Sequence, residues 1–182
     1  MSEEEDFEIV RKSLQGDAGA FETVIDKYQK MVLNLAYRIV NNYEDAKDVA
    51  QSVFVKAYEN LPSFDPKYKF FSWLYRIGVN ESLNFALKRK RQAMSDPGPI
   101  AAGEDPQASL ANNELNLRIE SALADLNPRQ RALLTLSLDG FSYKDIGGFL
   151  GLPERKVKSQ LFSARHKMKS ALERDGVTAH GR

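Results

Sequence analysis

Apolar residues recur at three- and four-residue steps through most of the chain. This is the period of a helix with one buried face. After Asp17 the series Phe21, Val24, Ile25, Tyr28, Met31, Val32, Leu35 and Ile39 predicts one long helix, ended by Asn41-Asn42. Val49, Ala50, Val53, Phe54, Ala57 and Leu61 predict a second, from about Asp45 to Leu61, and Pro62, Asp65 and Pro66 then impose a loop. A third long helix is predicted from about Phe70 into the run Lys88-Arg89-Lys90-Arg91. No stretch alternates with a period of two, so the fold class is all-α.

Residues 93–112 break the pattern. SDPGPIAAGEDPQAS is rich in Pro, Gly and acid and has no helical period, so it reads as a flexible linker. Two small helical domains follow, 1–92 and 113–175, with a tail at 176–182. The second opens with a helix from about Asn113 to Leu126. Asn127-Pro128 starts the next, since Asn caps helices and Pro is tolerated in their first turn. That helix carries Leu133, Leu134, Leu136 and Leu138 and stops at Asp139-Gly140.

The stretch after Gly140 is the most informative. Ser142 and Asp145 fit a capping box, with Asp in place of the usual Glu. A short helix runs to Leu150, Gly151 supplies a turn, and Pro153 opens another helix. Ile146, Leu150, Leu152, Val157 and Leu161 have the spacing of two short helices crossed over a shared core, a helix-turn-helix. The second helix turns Arg155, Lys156, Lys158, Ser159, Phe162 and Arg165 outward. In this motif the second helix enters the major groove, where Arg and Lys pair with guanine or phosphate. A packing hairpin with a basic surface would share the turn alone. Turn, cap, core spacing and basic face together favour DNA binding.

Charge changes the picture next. The net charge is only +1, yet residues 67–92 hold seven basic side chains against one acidic, and residues 154–174 hold seven against two. Acidic stretches separate these blocks. One basic block is as well explained by a solvated helix face; two, each ending a helical unit, point to a polyanion. The absence of cysteine excludes disulfides, cysteine-ligated metals and thiol nucleophiles. His166 and His180 are too few for a histidine-rich metal site, and no cofactor is expected. MSEEED is no secretory signal, and the most apolar run, Met31 to Val40, is broken by Asn34 and Arg38. A cytoplasmic protein without membrane insertion is expected.

With these motifs in hand a resemblance appears. FSYKDIGGFLGLPERKVKSQLFSARHKMK resembles region 4 of the extracytoplasmic-function (ECF) sigma factors, and LNPRQRALLTL the opening of that region. DAKDVAQSVFVKAYENLPSF and FFSWLYRIGVNESLNFALKRKR resemble successive parts of their region 2. The resemblance covers roughly residues 7–172, in the family's order.

It implies a non-enzymatic subunit that binds core RNA polymerase, reads the −35 promoter element with the second domain and opens the −10 element with the first. Polymerase contacts carry over to Asp45, Asp48, Gln51, Phe54 and Lys56, with Ser52 where Glu is common. A pocket for a flipped −10 base carries over to Phe64 and Asn80. Around it, Lys67, Lys69 and Arg76 would track the strand, and Lys88, Arg89 and Arg91 would hold duplex phosphates. Aromatics that stack on bases and cations that follow the backbone suit strand opening; Trp73, Leu74 and Ile77 read instead as core. The −35 contacts are the outward set from Arg155 to Arg165. Control by an anti-sigma factor is also implied. The acidic linker either threads toward the polymerase cleft or acts only as a tether.

Several positions depart from the family pattern. Arg155 and Lys156 replace a usual Gly-Thr pair, and Gln160 and Ser163 stand where Arg is frequent, which moves positive charge toward the helix N-terminus and implies a shifted −35 preference. Gly147 and Gly148 replace Ala and a polar residue at a cost of about 1 kcal/mol each in helix propensity. Two other readings compete. An autonomous operator-binding regulator would need a dimer interface or ligand pocket in its first half. A nucleic-acid enzyme would need a carboxylate cluster or phosphate-cradling loop, and neither is evident.

Overall fold

A computed structural model describes residues 3–95 and 121–174. All regular structure among these residues is helical. Residues 3–95 contain α1 (Glu3–Leu14), α2 (Ala18–Val40), α3 (Tyr43–Asn60), a 3-10 turn at Leu61–Ser63, and α4 (Phe70–Ser95). Residues 121–124 are helical, followed by α5 (Pro128–Leu138), α6 (Tyr143–Leu150) and α7 (Glu154–Arg174). The expected linker and the first part of the helix after it lie outside the described residues. No described helix is long and apolar enough to cross a membrane.

Local chemistry sets most boundaries. The Asp17 carboxylate accepts from the Ala20 N–H to start α2. Asn41 ends that helix in the left-handed region, at φ 58°. Asn42 caps α3 by accepting from the Asp45 N–H, so this helix begins at Tyr43, two residues before the sequence expectation. Asn127 and Gln130 form a reciprocal capping box with Pro128 in the first turn of α5.

The stripes of α2, α3 and α4 meet as expected. Val24, Val32, Val49, Val53, Leu61, Leu74 and their neighbours form one buried cluster, each burial contributing about 1.5–3 kcal/mol of transfer energy. Trp73 and Ile77 pack half-buried against it.

The α1 helix has no counterpart in the sequence expectation. Its apolar residues, Phe7, Ile9 and Val10, are few, and an acidic run precedes them. Long-range bonds fix it instead: the Asp6 carboxylate is buried, accepts from the Tyr28 hydroxyl at 2.6 Å and pairs with Lys27. Burial, then this bond, push the Tyr28 phenol well above its ordinary range.

The helices before and after the undescribed stretch also pack together. A second cluster joins Leu35 and Ile39 of α2 and Tyr75 and Val79 of α4 to Leu133 and Leu136 of α5, Ile146 and Leu150 of α6, and Val157 and Leu161 of α7.

Candidate nucleic-acid interface

The helix-turn-helix forms as its sequence implies. The Ser142 hydroxyl accepts from the Asp145 N–H at 3.1 Å while the Asp145 carboxylate accepts from the Ser142 N–H at 3.2 Å. Gly151 ends α6 with φ 65°, a conformation that costs other residues a Cβ clash. The Leu152 N–H then donates to the Gly147 carbonyl at 2.9 Å and folds the turn back over α6. A Cβ on Gly147 would meet the Leu152 carbonyl oxygen at 2.5 Å, which explains the glycine there. A Cβ on Gly148 would meet nothing within 4 Å, and nothing in the structure explains that glycine.

With Val157, Leu161 and Ala164 buried, α7 presents its other sides to solvent. Arg155, Lys156, Lys158, Ser159, Phe162 and Arg165 are all exposed, Phe162 to 76%. Lys158 lies 5.7 Å from the centre of the Tyr143 ring, and Arg165 donates to the Ser137 hydroxyl at 2.9 Å. Both contacts sit on the surface, where exchange for a phosphate costs little. Leu138, 80% exposed, sits beside Ser137. Its place among four apparently periodic leucines concealed that exposure.

In the first domain the expected DNA residues divide into two groups. Arg76 and Asn80 are exposed one turn apart on α4, and the exposed line continues through Asn84, Lys88 and Arg91. Asn84 was missed by the sequence reading, although its i+4 spacing from Asn80 is the signal. Lys67, Tyr68 and Lys69 are exposed in the preceding loop, Tyr68 to 68%. Phe64 is different. Its ring is 7% exposed, stacks on Phe7 and packs edge-on against Phe70 and obliquely against Trp73. A ring that fills the core offers no face to a flipped base, so Phe64 is corrected from a base-pocket residue to an anchor of the loop.

On α3, Asp48 and Gln51 are exposed while Phe54 is 8% exposed. Gln51 and Phe54 line a groove of about 590 Å³ between α2 and α3, with Ile25, Leu33, Tyr37 and Tyr43 among its walls. Asp45 pairs with Arg89, and Lys56 with Glu81 at 2.6 Å, so both expected docking residues are tied to α4. Val55 and Tyr58 are more than half exposed on the same helix. The apolar stripe does not include them, and that mismatch was the available sign of a contact surface.

Comparison with known proteins follows this division. The Sigma-70 region 2 model matches residues 24–92, and the Sigma-70, region 4 model matches residues 116–168. The RNA polymerase sigma-H factor of Pseudomonas aeruginosa is 31% identical over 95% of this chain and 96% of its own. The chain belongs to the ECF family of sigma-70-type factors.

The ECF sigma-E factor of Escherichia coli K12 is 30% identical over 91% of this chain and 93% of its own. Among solved structures, the sigma factor RpoE of Bartonella quintana in complex with the anti-sigma factor NepR matches with a TM-score of 0.71 and 22% identity, covering 84% of this chain and 96% of that one. CnrH in complex with the cytosolic domain of CnrY matches with a TM-score of 0.65 and 24% identity, covering 94% and 99%. As an ECF sigma factor the protein is a transcription initiation subunit. Its regions 2 and 4 serve core polymerase and promoter DNA.

Proposed function

We propose that this sigma factor uses α7 to read the −35 element, α4 with the loop before it to recognise and open the −10 element, and the α2–α3 face to dock on core polymerase. The carrying observation is that all six residues from Arg155 to Arg165 expected at DNA are exposed along α7, while the helix-turn-helix core lies on its opposite side. Arg155, Lys156 and Ser159 stand in the first turns, where a recognition helix reaches base edges. Lys158 and Arg165 are placed for the flanking phosphates.

In the first domain, Asn80 supplies an amide that pairs with a base edge and Tyr68 a ring that stacks. Arg76, Lys67 and Lys69 follow the strand, and Lys88, Arg89 and Arg91 hold the duplex beyond. Asp48, Gln51 and the groove walled by Phe54 receive polymerase, with Asp45 and Lys56 at its margin. The factor acts in the cytoplasm without catalysing a reaction of its own. An anti-sigma factor controls it, a reading supported by the fold it shares with RpoE bound to NepR and CnrH bound to CnrY.

The test is reconstituted transcription with core polymerase from a promoter selected by the wild-type factor. Lys158→Glu with Arg165→Glu abolishes −35-dependent transcription and leaves co-elution with core polymerase intact. Loss of co-elution in this variant would show that the surfaces are misassigned. Specific promoter binding by the wild-type protein without polymerase would favour the autonomous regulator.

A further inference from the structure

Residues 65–69 form the exposed loop that carries Lys67, Tyr68 and Lys69. Asp65 shapes it from within: its carbonyl accepts from the Tyr68 N–H at 3.1 Å and its carboxylate from the Lys67 N–H at 3.0 Å. The buried anchors of the loop are its two ends. Phe64 before it and Phe70 after it are both buried, and their rings meet edge-on at 5.5 Å. The Trp73 ring lies 5.3 Å from the first and 5.5 Å from the second.

Two neighbouring residues of α1 reach both ends. Phe7 stacks on Phe64 with centroids 6.1 Å apart and an interplanar angle of 23°. Asp6 reaches the other end through Tyr28 of α2. The Tyr28 hydroxyl donates to the buried Asp6 carboxylate at 2.6 Å, and the Tyr28 ring lies 6.0 Å from that of Phe70. Lys27 pairs with the same carboxylate. Apolar contact alone lets a short helix slide along a bundle. A buried carboxylate does not, because a shift of one turn strands it away from its cation. Asp6 thus fixes the register that lays Phe7 over Phe64.

We propose that α1 is a positioning element for the −10 loop, in which Phe7 and Asp6 clamp its two ends and so fix where Lys67, Tyr68 and Lys69 meet the melted strand. The role at the promoter rests on the sigma-factor reading above; the clamp does not. Two observations carry it. The first is that one helix contacts both anchors, and the anchors contact each other, so that loosening one end loosens both. The second is the exposure of the loop itself. Tyr68 is 68% exposed, so the placement of its ring comes from the loop backbone. A group that must stack on an unpaired base has to be held to within about 0.5 Å and 10–20°. A helix that only sealed the core would alter stability and polymerase binding together; a positioning element alters promoter opening alone.

The experiment uses the full chain, free and in complex with core polymerase. In the free protein, the rate of trypsin cleavage after Lys67, read by mass spectrometry, measures the mobility of the loop. Phe7→Ala raises it about tenfold, the effect of losing one aromatic contact, with helicity unchanged by circular dichroism. In the polymerase complex the same variant lowers permanganate reactivity of the −10 strand by a similar factor. Its co-elution with core polymerase and its −35-dependent duplex binding stay at the wild-type level. Phe7→Leu refills most of the space and restores both readouts. Tyr28→Phe removes one oxygen at the other end and acts in the same direction, about threefold.

Tyr28→Phe decides the test if Phe7→Ala fails to fold. Wild-type cleavage, or wild-type opening, in a folded variant overturns the positioning role. Equal loss of opening and polymerase binding overturns it too, since α1 then serves the fold or the docking face. Continued loss of opening in Phe7→Leu overturns the clamp. Cleavage that responds to both substitutions, in a factor whose wild type never binds core polymerase, supports the clamp and overturns the sigma-factor reading instead.

Discussion

Gly147 and Gly148 are neighbours in one short helix, and substitution by alanine acts on them in opposite directions. Each glycine costs α6 about 1 kcal/mol of helix propensity relative to alanine. At Gly148 an alanine methyl enters open space, so Gly148→Ala recovers most of that amount. At Gly147 the methyl would stand 2.5 Å from the Leu152 carbonyl oxygen. Ordinary contact begins at 3.4 Å, so the turn would have to retreat by about 0.9 Å. The Leu152 N–H bond to the Gly147 carbonyl stretches with it, a loss of about 1 kcal/mol. The displaced turn also lifts Val157, which is fully buried and 3.8 Å from the same methyl. The propensity gain is offset and reversed, leaving Gly147→Ala destabilised by about 1–2 kcal/mol. Urea unfolding followed by circular dichroism compares the two variants. A DNA readout accompanies it: the Gly147 variant reorients α7 and weakens −35-dependent transcription, whereas the Gly148 variant leaves it unchanged. Equal stabilisation by both alanines would refute the reasoning, because it would mean that the approach of Leu152 does not constrain α6.

Asn80 is exposed on α4, so Asn80→Ala alters stability by less than about 0.5 kcal/mol. It weakens promoter opening, read by permanganate reactivity, more than duplex binding read by gel shift; equal loss of both would remove the base-pairing role. Alkaline pH acts on the two buried tyrosines. Burial, then their bonds to Asp6 and Asp139, hold the Tyr28 and Tyr75 phenols above the ordinary value of 10.0. The unfolded chain therefore loses these protons first, and stability present below pH 10 falls as the pH rises beyond it. The urea midpoint drops between about pH 10 and 11, and Tyr28→Phe with Tyr75→Phe flattens that drop; an unchanged slope in the double variant would assign the effect to other groups.

What the sequence disclosed and what it hid follow from the range of the interactions. Asp17, Asn127, Ser142 and Gly151 act on backbone groups two to four residues away, and each sits where the local pattern puts it. The α7 face was legible for the same reason, since a 3.6-residue period separates Val157 and Leu161 from Arg155, Lys158 and Phe162. The misses are long-range. The α1 helix is held by Asp6 reaching Lys27 and Tyr28, which no window along the chain contains. An aromatic in a basic loop has the same signature whether it stacks on a base or fills a core, so Phe64 was placed in a base pocket although its ring is buried. Arg131 sits in a helix as any surface arginine would; only the Ile39 carbonyl, from the other domain, makes it a seal.

The contacts of the free protein consequently divide into two kinds. Asp45 with Arg89, and Lys56 with Glu81, pair across α3 and α4 with one partner of each well exposed. Such pairs contribute about 1 kcal/mol or less and are screened by salt. These pairs join α3 to α4. The bond from α5 to the end of α2 is of the other kind. Arg131 is buried, and its bond to the Ile39 carbonyl borders the cluster of Leu35, Ile39, Leu133 and Leu136, so it is not released without wetting them. Moderate salt therefore weakens the surface pairs while leaving the packing of Leu35 and Ile39 against Leu133 and Leu136 nearly untouched.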